Sequence, residues 1–360
     1  MTDRSSIAIL VQDATIARGT ERAAINLANA LALHGYRVGL VSLFSAHGPT
    51  AFTLHSDIKI IHLDQRRDVS NNLQRLFKLI KTTRSLRIPT AQYATLIASE
   101  DMLTFNSLLL KLFRRHLNVI GWSHILYGNS PLILTFIRRF TFRYLNTLVV
   151  LNEGDLKSFG SDSIERIVKI PNMNSFPKLK IADYSQKRAI AVGTYTKDNG
   201  KGFDLLIRGS APILRRHRDW KIMIIGKDVQ GSELEQIAQK EDIRQQIDLL
   251  PVSTSISDMY QLASFCIMTS RQESFSLVIT EAKSHSLATL AYDVSHGPRE
   301  LIADETDGYL IPVGDEQLFG ERLEQLITNE ELRRKLGEAA GESSHAFSAE
   351  AVFHEWERLL

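Results

Sequence analysis

Two glutamates, Glu273 and Glu281, stand eight positions apart in the run Ser270-Arg271-Gln272-Glu273-Ser274-Phe275-Ser276-Leu277-Val278-Ile279-Thr280-Glu281-Ala282. The first follows a short apolar run, Phe265 to Met268, and the second falls in a segment that reads as helix. The expected order is strand, tight loop, helix start, helix interior. Such a loop turns free backbone N–H groups toward whatever lies above the strand, and the helix dipole favours negative charge there. One carboxylate then stands at the loop mouth and the other about two turns down the helix. An anionic ligand with hydroxyls on both sides of its phosphates fits this arrangement, and a sugar nucleotide is such a ligand.

A second constellation lies about 70 residues upstream. Val192-Gly193-Thr194-Tyr195-Thr196-Lys197-Asp198-Asn199-Gly200-Lys201-Gly202-Phe203 reads as strand, glycine-bearing loop, then helix. A lysine on such a loop, Lys201, offers a compact positive charge to a phosphate. In the first half, Arg18-Gly19-Thr20-Glu21-Arg22 joins the first strand to the first helix, and Gly19 would let the backbone come close to a ligand. His124, in Gly121-Trp122-Ser123-His124, closes a buried strand. A histidine there reads either as a group reaching a ligand or as a polar structural residue.

The elements that must hold these residues alternate along the chain. Apolar runs at Ile7–Val11, Tyr36–Leu43, Ile58–Leu63, Ala94–Ala98, Asn118–Trp122, Thr147–Leu151 and Val168–Ile170 read as strands. Helical periodicity lies between them, at Thr20–His34, in a long basic helix, at Met102–Arg115 and at Pro131–Tyr144. Residues 175–187 lack periodicity, contain Pro177 and read as a linker. A second series of the same kind follows, with strands expected at Arg188–Val192, Lys221–Ile225, Ile247–Leu250, Phe265–Met268, Thr289–Tyr292 and Gly308–Ile311. The pattern predicts two α/β domains with doubly wound parallel sheets, whose ligands meet the carboxyl ends of the strands.

The length of 360 residues exceeds one ordinary core and agrees with two domains. No apolar run approaches the ~20 residues of a membrane helix. Met1 to Ser6 leads straight into a strand, with no signal-peptide pattern. The single cysteine, Cys266, lies in an apolar run and reads as a core residue of a cytoplasmic protein. The net charge of +2 conceals about +9 in residues 1–175 and about −7 in residues 176–360. The basic residues cluster at Arg75, Lys78, Lys81, Arg84 and Arg87, then at Lys111, Arg114 and Arg115, then at Arg138, Arg139 and Arg143. Leucine, isoleucine and phenylalanine interleave with them. Such faces suit an anionic membrane surface, or are ordinary solvated helices. Aromatic residues are sparse there and no nucleic-acid motif occurs, so nucleic acid is not an expected partner. A nucleophile elbow, zinc-like spacing, a G-x-G-x-x-G and an Asp-x-Asp are all missing, and no metal is expected.

The motifs together resemble family 4 of the retaining glycosyltransferases, enzymes of the GT-B fold. Glu273-x7-Glu281 resembles the E-x7-E signature, and Lys201-Gly202 the "G-R…K-G-x-x-L-L" segment, with Thr194 where the arginine is expected. Gly297-Pro298-Arg299-Glu300-Leu301-Ile302 resembles "G-P-x-E-I-I", Asp307-Gly308-Tyr309-Leu310 "N-G-x-L", and Arg18 to Arg22 "G-G-x-E-R". Ser274 and Ser276 stand where the family often has glycine.

The resemblance implies two Rossmann-like domains facing each other across a cleft: an acceptor-binding domain at 1–175, a nucleotide-sugar domain at 176–345, and a C-terminal helix, 346–360, returning to the first. It implies Glu273, Lys201 and His124 as the catalytic set. Donor binding would fall to Gly19, Lys201, the backbone of Phe275, Ser276 and Leu277, and Glu281. No cofactor or metal is implied beyond a UDP- or GDP-linked sugar as co-substrate. The expected reaction is hexosyl-type transfer with retention to a hydroxyl of a lipid-linked saccharide, in lipopolysaccharide, capsule or other surface-polysaccharide synthesis at the inner face of the cytoplasmic membrane. A non-catalytic partner subunit, and a soluble transferase acting on a small molecule or protein, are the competing expectations.

Overall fold

The computed structural model describes residues 6–44, 48–63, 72–127, 132–160, 166–176, 181–252, 255–294 and 296–360. The chain divides into two compact units, Met1–Ser175 with Ala349–Leu360, and Phe176–Ser348.

The first unit holds strands β1 (Ser6–Val11), β2 (Arg37–Ser42), β3 (Lys59–His62), β4 (Thr95–Ala98), β5 (Asn118–Trp122), β6 (Thr147–Val150) and β7 (Ile167–Lys169). Its helices are α1 (Gly19–Leu33), α2 (Asn72–Arg87), α3 (Asp101–Phe113), α4 (Leu132–Thr141) and α5 (Glu153–Gly160). The sheet order is β3-β2-β1-β4-β5-β6-β7, and every pairing is parallel. β1 is buried along its whole length, as a central strand covered on both faces must be, which is why it reads as an unbroken apolar run. α1 stops at Gly35, whose φ of +84° suits glycine. The Gly35 and Tyr36 amides close back on the carbonyls of Ala32 and Leu31, satisfying the end of the helix.

The second unit holds β8 (Arg188–Val192), β9 (Lys221–Ile225), β10 (Ile247–Leu250), β11 (Phe265–Met268), β12 (Thr289–Tyr292) and β13 (Gly308–Ile311). Its helices are α6 (Phe203–Arg216), α7 (Leu234–Lys240), α8 (Ile256–Gln261), α9 (Leu277–Ser284), α10 (Gly297–Leu301), α11 (Glu316–Thr328) and α12 (Glu330–Ser343). The sheet is again parallel, in the order β10-β9-β8-β11-β12-β13. The strand order therefore reverses between β1 and β4 in one unit and between β8 and β11 in the other. Open α/β sheets offer their ligand crevices at such points. A last helix, α13 (Ala349–Glu357), belongs to the first unit, where Trp356 sets its ring edge-on to Trp122 with centroids 4.9 Å apart.

Several sequence expectations are revised. Two short helices, α5 and α10, were not anticipated. The first is announced by Asn152, whose Oδ1 accepts from the Asp155 amide at 2.7 Å. The helix expected over 131–144 ends at Thr141 and tightens into a 3-10 turn, Phe142–Tyr144. The stretch expected as a loose linker is docked where it is described. Tyr184 is buried, its hydroxyl donates to the Ser286 carbonyl at 2.7 Å, and its own carbonyl receives two guanidinium bonds from Arg333.

The basic face is also narrower than the charge pattern implies. Arg138 is buried, holds the Asp101 carboxylate through Nε at 2.8 Å and through a second nitrogen, and lies over the Phe159 ring. Arg114 donates to the carbonyls of Thr90, Ala91 and Tyr93. Both guanidiniums are taken up by acceptors of their own unit, Arg138 in the interior and Arg114 partly exposed. The side chains of Arg75 and Lys78 lie outside the described residues. Among those described, Lys81, Arg84, Arg87, Arg115, Arg139 and Arg143 remain exposed.

Candidate functional site

The loop after β8 and the loop after β11 meet at the strand-order reversal of the second unit. Their contact is enforced by backbone and small residues. Gly202 has φ +63°, and a Cβ on it would stand 1.9 Å from the Thr269 carbonyl oxygen. Thr269 Oγ1 donates to the Gly202 carbonyl at 2.8 Å. The Arg271 amide donates to the Gly200 carbonyl at 2.9 Å, and its guanidinium grips Asp204 with two bonds of 2.9 Å. On the other side Gly297 lies against the Glu273 loop, where its amide donates to the Glu273 carbonyl at 3.2 Å.

This clamp brings Lys201 and Glu273 together. Lys201 Nζ donates to Glu273 Oε1 at 2.6 Å, and Ser270 Oγ donates to the same oxygen at 2.8 Å. The Lys201 side chain keeps 34% of its surface exposed and Glu273 only 10%. The lysine therefore forms the accessible end of the pair. α9 starts at Leu277, after Ser276 in extended conformation, so the Ser276 and Leu277 amides stand at the positive end of that helix. Phe275 is buried against the ring of Phe347, with centroids 6.2 Å apart, and pins the loop to its own unit. A cation, a helix start and a carboxylate thus share one strand end, an arrangement chemically suited to a diphosphate.

Glu281 lies in the second turn of α9, about one turn inside it, and is buried. The Tyr260 hydroxyl donates to its Oε2 at 3.1 Å. Tyr260 in turn stacks on His285, whose Nε2 lies 2.8 Å from Ser257 Oγ. A ribose reaching Glu281 has to compete with the Tyr260 hydroxyl for that carboxylate. The base of α9 is tied down by Lys283, buried and bonded to Asp307 Oδ2 at 2.5 Å. Asp307 also accepts from the Ala303 amide at 2.9 Å. The Asp307-Gly308 motif therefore acts by fixing the helix that carries Glu281. Thr194 is exposed, and Arg271, the arginine of these loops, is occupied by Asp204.

His124 and Gly19 belong to the first unit. The His124 ring packs on Trp122 with centroids 4.4 Å apart, and burial pushes its pKa down to about 3, so the imidazole is neutral. Gly19 opens α1, and a Cβ there would meet nothing within 4 Å. The protein itself makes no demand for glycine at that position. Sequence reading overlooked Ser270, which bonds Glu273 from three residues away within one loop, and Tyr260, which reaches Glu281 from α8. It also gave no role to Glu21, in the first turn of α1, and passed over Glu100, which follows the buried β4.

Residues 176–343 match the family model described as glycosyl transferases group 1. The amylovoran biosynthesis glycosyltransferase AmsD of Erwinia amylovora is 28% identical, over 98% of both chains. A Campylobacter jejuni enzyme named as the N-acetyl-D-galactosaminyltransferase of an undecaprenol-diphosphate-linked saccharide is 22% identical, over 95% of this chain and 94% of its own. Sucrose-phosphate synthase of Thermosynechococcus elongatus superposes with a TM-score of 0.82 at 17% identity, over 98% of this chain and 97% of its own. Nearly all of the second unit is thus similar to the group 1 glycosyl transferases, and the protein is a glycosyltransferase of the GT-B fold.

Proposed function

We propose that the protein is a retaining, family 4 glycosyltransferase that moves a sugar from a nucleotide donor to a hydroxyl of a lipid-linked saccharide in cell-surface polysaccharide synthesis. The observation that carries the reading is the Lys201–Glu273 pair beside the start of α9, at the strand-order reversal of the second unit. Lys201 and the amides at Phe275, Ser276 and Leu277 stabilise charge growing on the departing diphosphate, an electrostatic role. Glu273 orients Lys201 and accepts from donor-sugar hydroxyls. Glu281 accepts from the ribose hydroxyls in place of Tyr260. The first unit binds the acceptor, and neutral His124 offers one ring nitrogen as donor and the other as acceptor to sugar hydroxyls. The acceptor proton passes to the leaving phosphate, so the reaction needs no covalent nucleophile, cofactor or metal. The lipid-linked acceptor and the role in polysaccharide synthesis are supported by the named activities of the Erwinia and Campylobacter relatives.

The exposed basic side chains of the first unit support docking on the inner face of an anionic membrane. Two basic residues, Lys111 and Arg115, line an open groove of about 500 Å³ together with Phe105, Leu108, Leu109, Leu112, Thr141 and Tyr144. Among the described residues no helix is long and apolar enough to cross a membrane.

The reading is tested by thermal shift with UDP, GDP, ADP and CMP on the wild type and Glu281→Ala. One nucleotide at 100 times its Kd should add roughly 2.7 kcal/mol of apparent stability to the wild type. The variant should lose that gain. No shift with any nucleotide would overturn a donor site in the second unit.

A further inference from the structure

Carboxyl groups stand at the strand-order reversal of the first unit, between β1 and β4, with Arg18 acting on them. Glu21 sits in the first turn of α1, is 1% exposed, and neither of its carboxylate oxygens has a hydrogen-bond partner. The amides of Asp13 and of Glu21 itself lie close enough to favour its charge, but neither reaches hydrogen-bond geometry. Glu100 follows β4 immediately, is partly exposed, and accepts a hydrogen bond from the Gln12 side-chain amide. Burial first, and then the neighbouring charges of Glu21 and Asp101, raise the Glu100 pKa to about 7. The other charged groups that act on the two are Asp13 and Arg18. Asp101 is itself neutralised by Arg138.

A buried carboxylate whose oxygens lack partners forfeits hydrogen bonds that folding ordinarily supplies. With its pKa raised to about 7, Glu100 can donate or accept a hydrogen bond near neutral pH, and the neighbouring charge of Glu21 contributes to that rise. Among the described residues no three His, Cys, Asp or Glu side chains are grouped to hold a metal ion. Neutral, closely spaced hydroxyls satisfy such a pair, because each both donates and accepts.

We infer that Glu21 and Glu100, with the Gln12 amide, form a binding subsite for adjacent hydroxyl groups of an uncharged sugar ring of the acceptor. The inference deepens the reading of the first unit as the acceptor-binding one and rests on it. The subsite selects by hydroxyl placement, since a ring lacking one hydroxyl leaves the buried Glu21 without its partner.

Saturation-transfer NMR tests this on the full chain, in metal-free buffer, with the methyl α-glycosides of glucose, galactose, mannose, N-acetylglucosamine and N-acetylgalactosamine as probes. At least one glycoside should receive saturation from the wild type. The effect should weaken about tenfold or more in Glu21→Gln and Glu100→Gln, as for loss of a charged hydrogen bond. Both variants should keep the nucleotide thermal shift, which reports the second unit separately. No saturation from any probe, saturation that requires added Mg²⁺, or unchanged saturation in both variants would overturn the inference. Should a variant fail to fold, the wild type decides by carbodiimide labelling of Glu100 read by mass spectrometry. A bound glycoside should slow that labelling, and an unaltered rate counts against the subsite. Loss of the nucleotide shift in the wild type would strike the donor reading and leave the glycoside result standing.

Discussion

At the residue scale the charged groups of the two units are treated differently by their surroundings. Lys201 and Glu273 compensate each other, whereas Glu21 and Glu100 repel, and burial removes the water that would screen them. The sign of the pH effect follows. Glu100 in the folded protein holds its proton up to about pH 7, well above its ordinary value of 4.5. Between those values the folded state binds more protons than the unfolded one, so stability falls as pH rises through that window. Glu100→Gln removes the effect. Relative to this variant, the wild type should lose about 1–3 kcal/mol between pH 5 and pH 8, with allowance for the partial exposure of Glu100. Urea titrations of both proteins at the two pH values measure it, and parallel pH dependences would show that Glu100 titrates normally. His124 acts in the opposite direction and is common to both proteins, so it cancels in the difference.

At the scale of elements, the site depends on how closely two loops approach. Gly202 is the narrowest point, because its left-handed backbone and the Thr269 carbonyl both exclude a side chain. Gly202→Ala should cost about 2–4 kcal/mol in stability through strain and displacement of the loop. It should also weaken nucleotide binding, since Lys201 would move away from Glu273. Gly200, two residues before it, has open space where a Cβ would go and no left-handed φ. Gly200→Ala should therefore change stability by no more than about 0.5 kcal/mol. Chemical denaturation and nucleotide titration of the pair distinguish loop contact from a general intolerance of change. α9 is held similarly from below by the buried Lys283–Asp307 bond, which keeps Glu281 at a constant height above the sheet.

On the scale of the whole molecule, charge and exposed apolar surface coincide in the first unit. Leu112 and Phe113, at the end of α3, are 71% and 74% exposed, and Arg87 lies over the Phe113 ring. An exposed apolar pair among arginines is a poor solution for water and a good one for an anionic bilayer surface. The doubly substituted Leu112→Ser, Phe113→Ser protein should lose most of its flotation with phosphatidylglycerol vesicles at low salt while keeping its nucleotide thermal shift. Equal flotation of variant and wild type would remove this face as the membrane contact.

Much of the architecture was legible in the chain itself. The strands at Arg188–Val192, Lys221–Ile225, Phe265–Met268 and Thr289–Tyr292 stand where their apolar runs place them, because a strand covered on both faces has no polar register to obscure it. The loops bearing Lys201 and Glu273 were legible for the same reason, as interruptions between such a run and a helical period. Local sequence does not encode what a side chain meets across the fold. Nothing in the spacing distinguishes Arg138, buried on Asp101, from Arg139 in solvent, since a helix period gives the face and not the partner. The Tyr260 hydroxyl on Glu281, the Lys201 bond to Glu273 and the influence of Glu21 on Glu100 join residues brought together only by the tertiary fold. Sequence alone determined the elements and the chemistry they carry. Tertiary structure decided which charges are compensated and which are left waiting for a ligand, because desolvation and pairing depend on neighbours in space.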